Sequence, residues 1–192
     1  MCYDVQRVLA AILLILLFPL LLGIALCIAV SSGFPVLFRE FRIGQDKKKF
    51  VIYKFRTMTG NIPALTEAQK QEMAQFGKLK KDPRVTRFGH FLRRFSLDEL
   101  PQLWNVVRNE MALIGPRPIV DEEEIVYGKY STLIHSVKPG ITGLWQVSGR
   151  NLTTYHRRIA INRYYVRHRS WKLDLWIFLR TFVAVIGGRG AF

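Results

Sequence analysis

Cysteine and negative charge are both scarce in this 192-residue chain. Only Cys2 and Cys27 are present, which excludes a disulfide scaffold and a four-cysteine zinc site and makes a reducing compartment the default. Cys27 lies deep in an apolar run, out of reach of a pairing with Cys2. Asp and Glu number 14 against 29 Lys and Arg, giving a formal net charge of +15. Residues 8–30 carry no charge at all, and before Arg39 only Asp4 and Arg7 are charged, and they cancel. Internal repeats and low-complexity tracts are missing too. Yet 49% of the residues are apolar, too many for a disordered basic tail, and the cationic excess does not suit a polytopic membrane protein. The length allows one domain with a core and an appendage.

A helix over residues 8–30 would be about 35 Å long, the thickness of a hydrocarbon layer. A cleaved signal peptide fits poorly, because the run is long and only Arg7 precedes it. A spanning anchor and a re-entrant hairpin remain. Pro19 near the centre removes a backbone bond and predicts a kink. Arg7 before the run and Arg39 and Arg42 after it suit both ends facing the cytoplasm, which a re-entrant helix satisfies, while a Pro-kinked spanning helix stays open. The division expected is a re-entrant membrane helix over 1–35 and a cytoplasmic domain over 36–192. The fold class expected is α+β and mostly helical, with a short β-hairpin and interfacial amphipathic helices.

Residues 31–35, Ser-Ser-Gly-Phe-Pro, end the membrane helix. Two strand-like runs, 36–43 and 50–58, flank a turn at Gly44-Gln45-Asp46. Alternation in the second puts Lys54 and Arg56 on one face, either a solvated basic face or two cations aimed at a phosphate-bearing ligand. Residues 66–76 read as a polar helix. Residues 78–94 hold seven basic side chains against Asp82 alone, a density that attracts nucleotides, lipid phosphates or anionic headgroups. Residues 155–169 and 171–186 read as helices that interleave aromatics with cations, a composition suited to a membrane surface.

Asp98 and Glu99 follow this basic stretch. Ser96 with Glu99 has capping-box spacing, and Leu97, Leu100, Leu103, Trp104 and Val107 would share one helical face. Acidic residues commonly serve a helix amino-terminus. If Glu99 closes the box, however, Asp98 has no structural task. A carboxylate among arginines, here Arg93, Arg94 and Arg117, suits a site where a phosphorylated substrate meets a divalent metal.

The run Arg93-Arg94-Phe95-Ser96-Leu97-Asp98-Glu99-Leu100-Pro101-Gln102-Leu103 resembles the signature of bacterial sugar transferases, the monotopic polyprenyl-phosphate phosphoglycosyl transferases. So do Tyr53-Lys54-Phe55-Arg56-Thr57-Met58, Ile114-Gly115-Pro116-Arg117-Pro118, Pro139-Gly140-Ile141-Thr142-Gly143-Leu144-Trp145-Gln146-Val147, Gly149-Arg150-Asn151 and Gly188-Arg189-Gly190-Ala191-Phe192. The resemblance covers essentially the whole chain in order. It implies transfer of a sugar phosphate from a UDP-sugar to undecaprenyl phosphate, which initiates glycan assembly at the bacterial inner membrane with the catalytic domain on the cytoplasmic face. Asp98 would attack the sugar-bearing phosphate, expel UMP and hold a covalent intermediate; Glu99 is its catalytic partner and Mg²⁺ binds at Asp98. The family's helix bends at a Ser-Pro or similar step, replaced here by Phe18-Pro19. The chain resembles the family's minimal form, and Trp145 resembles members that use UDP-hexoses.

Lys54, Arg93, Arg117 and Arg150 are the expected phosphate ligands, since guanidinium offers bidentate geometry. The partners expected are the nucleotide sugar, the polyprenyl phosphate and the membrane, with no nucleic acid; a homodimer is compatible with all of this. Two other readings stay open. One is a membrane-tethered basic module that binds anionic lipid or nucleic acid. The other is a phosphohydrolase using the same aspartate.

Overall fold

The computed structural model describes residues 2–59, 66–76, 79, 82–149 and 153–187. The uncharged run forms α1, Tyr3–Ser32, a 30-residue helix with Pro19 inside it and Gly33 at its carboxyl end. It is about 45 Å long. One stripe of this helix is packed against the rest of the protein. Gln6 and Ala10 near its start and Ile24 and Ile28 near its end are buried, while Val8, Ile12, Ile15, Leu16, Leu22 and Leu26 are exposed.

The two strand-like runs form an antiparallel hairpin, β1 (Leu37–Ile43) and β2 (Lys49–Phe55). Its register pairs Leu37 with Phe55 and Ile43 with Lys49. The connection turns through Asp46 and Lys47 at positive φ. Helix α2 (Glu67–Phe76) and α3 (Arg87–Arg94) follow, with Thr86 capping α3 by accepting a hydrogen bond from the Gly89 amide at 2.8 Å.

The signature segment departs from its expected form. Leu97–Gln102 is a 3₁₀ turn containing Pro101, followed by a short α4, Leu103–Val107. Ser96 sits in the left-handed region at φ 54 and its side chain does not cap the turn, so the expected capping box is absent. The expected apolar face holds in part: Leu103 is buried and Val107 and Leu97 pack against core clusters, but Trp104 is 50% exposed while Gln102, Asn105 and Val106 are buried. A 3₁₀ turn advances about 120° per residue against about 100° in an α-helix, so six residues slip the phase by roughly a third of a turn.

Strand β3 (Ala112–Ile114) pairs in parallel with β4 (Gly140–Thr142). Between them lie α5 (Asp121–Tyr127) and α6 (Ser131–Ile134), and after them come α7 (Leu144–Val147), α8 (Tyr155–His168) and α9 (Trp171–Gly187). The glycines of the turn motifs permit close backbone contact. A Cβ on Gly140 would lie 2.1 Å from the Gly115 nitrogen, and one on Gly143 would lie 2.1 Å from the Gly115 oxygen.

The main core joins Ala10 of α1, Ile52 of β2, Leu103 and Val106 of α4, Ile114 of β3, Tyr165 of α8 and Ile177 of α9. A second cluster packs Ile24 and Ile28 of α1 on Phe55 and Leu92. Burial of these side chains is the main source of stability, at roughly 1.5–3 kcal/mol each. Asn105 fixes the signature segment to the hairpin. Its amide donates to the Val51 oxygen at 2.6 Å and accepts from the Tyr53 amide at 3.3 Å. The opposite surface of α9 is apolar and open: Trp171, Leu175, Phe178, Leu179, Phe182, Val183 and Ile186 are all exposed at the spacing of one helical stripe.

Candidate active site

The 3₁₀ turn carries Asp98 and Glu99 over β2 and beside α3. Successive residues in such a turn project in different directions, and the two carboxylates meet different cations. Glu99 takes a 2.7 Å ion pair from Lys54 of β2. Asp98 is the leading countercharge of Arg93, whose guanidinium burial holds below the ordinary arginine range. Arg93 also donates from Nε to the Thr57 hydroxyl at 3.0 Å. Lys54 and Arg93 are thus placed at the carboxylates, as expected. Arg56 is not. It donates to the backbone oxygens of Ser32, Gly33 and Phe34, closing the carboxyl end of α1.

Arg117 follows β3 on the Gly115-Pro116 turn and lies 5.6 Å from the Trp145 ring. On the same indole, at 4.9 Å, sits Arg158 of α8, only 3% exposed. Arg42 of β1 completes the cluster, donating to the Pro118 oxygen at 3.4 Å and pairing with Glu40. Burial pushes the Arg42 and Arg158 guanidiniums below the ordinary range, and the Arg117 charge pushes each further. Glu123 is shared among them: it lies 3.9 Å from Arg42 and accepts a 2.9 Å bond from the Tyr155 hydroxyl. Three guanidiniums held this close destabilise one another unless an anion joins them.

A narrow cleft lies between this cluster and the 3₁₀ turn, lined by Arg42, Lys54, Glu99, Gln102, Arg117 and Gln146. Several buried polar atoms on its walls have no partner: Arg42 Nε, Arg117 Nε, Gln102 Nε2 and Gln146 Oε1. Gln102 is 2% exposed. An unmade hydrogen bond at such a site costs about 1–3 kcal/mol, so three N–H donors aimed at one cleft mark a place for acceptor oxygens. Among the described residues, no group of three or more His, Cys, Asp or Glu gathers as a metal site.

Sequence reading missed Arg42, Gln102, Gln146 and Arg158 as site residues. Arg42 had a local signal. Strand alternation puts it on the hairpin face of Lys54, as the pairs Arg42–Phe50, Glu40–Ile52 and Phe38–Lys54 show. Arg158 had none, because its neighbours Trp145 and Arg117 are set by tertiary packing. Arg150 lies outside the described residues, as does the closing Gly188–Phe192 motif. Pro19 is exposed within α1, remote from these groups.

A family model described as bacterial sugar transferase matches residues 2–188. A UDP-galactose-lipid carrier transferase of Erwinia amylovora is 41% identical over 99% of this chain, which spans 41% of that relative. The exopolysaccharide production protein ExoY of Sinorhizobium fredii is 41% identical over 99% of the chain and 86% of the relative. A UDP-glucose:undecaprenyl-phosphate glucose-1-phosphate transferase of Xanthomonas campestris is 40% identical over 97% of the chain and 39% of the relative.

Proposed function

Because the chain belongs to the bacterial sugar transferase family, we propose that it moves a hexose phosphate from a UDP-hexose to undecaprenyl phosphate, releasing UMP and initiating exopolysaccharide assembly. The observation that carries this reading is the carboxylate-bearing turn set against a cleft where N–H groups of Arg42, Arg117 and Gln102 are buried without a partner among the described residues. A carboxylate nucleophile and fixed donors for phosphate oxygens are what phosphoryl transfer requires.

In this scheme Asp98 forms a bond to the phosphorus that bears the sugar. The P–O bond to UMP breaks, and the electron pair leaves with UMP. The acceptor phosphate oxygen then attacks the same phosphorus and returns the Asp98 carboxylate. Arg42, Arg117 and Gln102 donate to phosphate oxygens as charge develops, and burial strengthens each contact. Arg93 sets its guanidinium charge beside Asp98. Glu99, fixed by Lys54, takes the proton of an acceptor that arrives as a monoanion. One diphosphate linkage replaces another, so the transfer needs no further energy source.

Mg²⁺ fits this donor set, because it binds through one or two carboxylates together with substrate phosphates and keeps its remaining waters. Asp98 would hold it, and bound there it offsets repulsion between the nucleophile and the diphosphate.

We read α1 as monotopic in the inner membrane, with the catalytic domain on the cytoplasmic face. Both ends of the helix are tied to the same domain: Gln6 accepts from the Leu113 amide at 2.7 Å, and Arg56 grips the far end. The open apolar stripe of α9 gives a second surface of the right chemistry to lie in the interface. Single cysteines placed before Val8 and after Pro35, in a background without Cys2 and Cys27, should react with an impermeant maleimide only from the cytoplasmic side. Labelling of the first from outside would replace this topology with a spanning anchor.

The activity is tested by incubating the membrane-reconstituted protein with UDP-glucose or UDP-galactose, Mg²⁺ and undecaprenyl phosphate. Stoichiometric UMP without acceptor, and continuous UMP with it, are expected. Release of UDP would exclude the scheme, and free sugar phosphate independent of acceptor would make the protein a hydrolase.

A further inference from the structure

We propose that a second cleft, between the end of α1 and the start of α3, captures the phosphate monoester of a lipid before transfer; the proposal rests on the transferase reading. The cleft is lined by Ser31, Ser32, Arg56, Thr86, Arg87 and Phe88, with Thr59 at its edge. Among the described residues, no acidic side chain lines it. It is separate from the cleft at Glu99, with which it shares no residue.

The charge arrangement favours an anion. The carbonyl end of a helix is negative and repels phosphate, but Arg56 covers the oxygens of Ser32, Gly33 and Phe34. Its Nε remains buried without a partner. Arg87 is exposed and has no hydrogen-bond or ion-pair partner among the described residues, so its guanidinium is open to a ligand. The Thr86 hydroxyl oxygen already accepts from the Gly89 amide, leaving its O–H to donate.

The surroundings indicate that the anion comes on a lipid. Leu22, Leu26, Val30 and Phe34 are exposed at successive four-residue steps along the end of the chain segment whose Ser31 and Ser32 line the cleft. On its other side the Phe88 and Phe91 rings stack 6.1 Å apart, with Phe91 exposed. An apolar strip running into a cationic cleft matches a long hydrocarbon chain ending in a phosphate. Arg87 and Arg93 lie six residues apart on α3, about 9 Å along its axis. A phosphate held by Arg87 is therefore one helix length from the Arg93–Asp98 pair, a waiting position rather than the position of reaction.

The test is Arg87→Gln in the full chain, reconstituted in phosphatidylcholine vesicles with undecaprenyl phosphate. The exposed position makes misfolding a minor concern. The acceptor-free UMP burst and the KM for the nucleotide sugar should stay within twofold of the parent. The KM for undecaprenyl phosphate should rise about tenfold, the loss expected for one charge-assisted contact, and Arg87→Lys should restore most of it. An unchanged acceptor KM, or a reduced burst, would overturn the capture site. In a second arm, phosphatidylglycerol replaces part of the phosphatidylcholine. If this phosphodiester lipid raises the acceptor KM of the parent to that of Arg87→Gln, the cleft holds bulk headgroups and the monoester assignment is wrong. A parent protein with no burst at all would remove the transferase reading, and the capture site with it.

Discussion

Asp98→Asn should abolish turnover while leaving the fold intact. The amide occupies the carboxylate's volume and keeps the hydrogen-bonding capacity of the turn, but it is no nucleophile toward phosphorus at neutral pH. Loss of a covalent nucleophile is expected to lower kcat by at least about 10³-fold. The sharper measurement is the half-reaction. With donor labelled in the sugar and no acceptor, the parent should retain label on the protein and release one equivalent of UMP. Asp98→Asn should do neither, with an unchanged circular dichroism spectrum. Label retained on the variant would assign the covalent step elsewhere. The first residue to test would then be Glu99, whose ion pair with Lys54 puts it at the cleft.

The second large effect is expected at Arg117. Its Nε is buried without a partner on the cleft, and its guanidinium is held against Trp145. A donor positioned this way acts mainly on charge that develops during transfer, so Arg117→Ala should lower kcat/KM by about 10²–10³-fold. Arg42→Ala should cost less, because Arg42 is partly neutralised by Glu40. The double variant should lose less than the product of the two. Burial and mutual repulsion depress Arg42 next to Arg117, and removing one cation relieves the other. Strictly multiplicative losses in the measured kcat/KM would show that the two arginines do not serve one phosphate.

The features legible in the sequence were those set by local chemistry. Helix α1 ends at Gly33 because glycine tolerates the positive φ there, and the hairpin follows from two short strand-like runs flanking a turn. Arg93 stands beside Asp98 and Glu99 in the sequence itself, whereas strand alternation pairs Lys54 with Arg56 and does not reveal that Lys54 meets Glu99 while Arg56 holds the end of α1. The Ser96–Glu99 spacing misled, since that pattern does not reveal the backbone hand of its first residue. With Ser96 left-handed, the chain enters a 3₁₀ turn and Glu99 turns to Lys54 instead of an amide. The arginine cluster was hidden for another reason. Arg42, Arg117 and Arg158 come from three distant segments, and only tertiary packing brings Arg117 and Arg158 to one indole and Arg42 near Arg117.

The exit of β2 has a mechanical consequence. Within four residues, Lys54 holds Glu99, Arg56 holds the end of α1 and Thr57 holds Arg93. Only two residues separate Lys54 from Thr57, so this short stretch links the end of α1 to the turn that carries Asp98 and Glu99. A displacement of about 1 Å at reacting groups can cost about 10²-fold in rate. On the proposed placement of α1 in a bilayer and of Asp98 and Glu99 at the reaction, the depth and angle of the helix would be settings of the catalytic geometry, and a change in lipid thickness should change the rate.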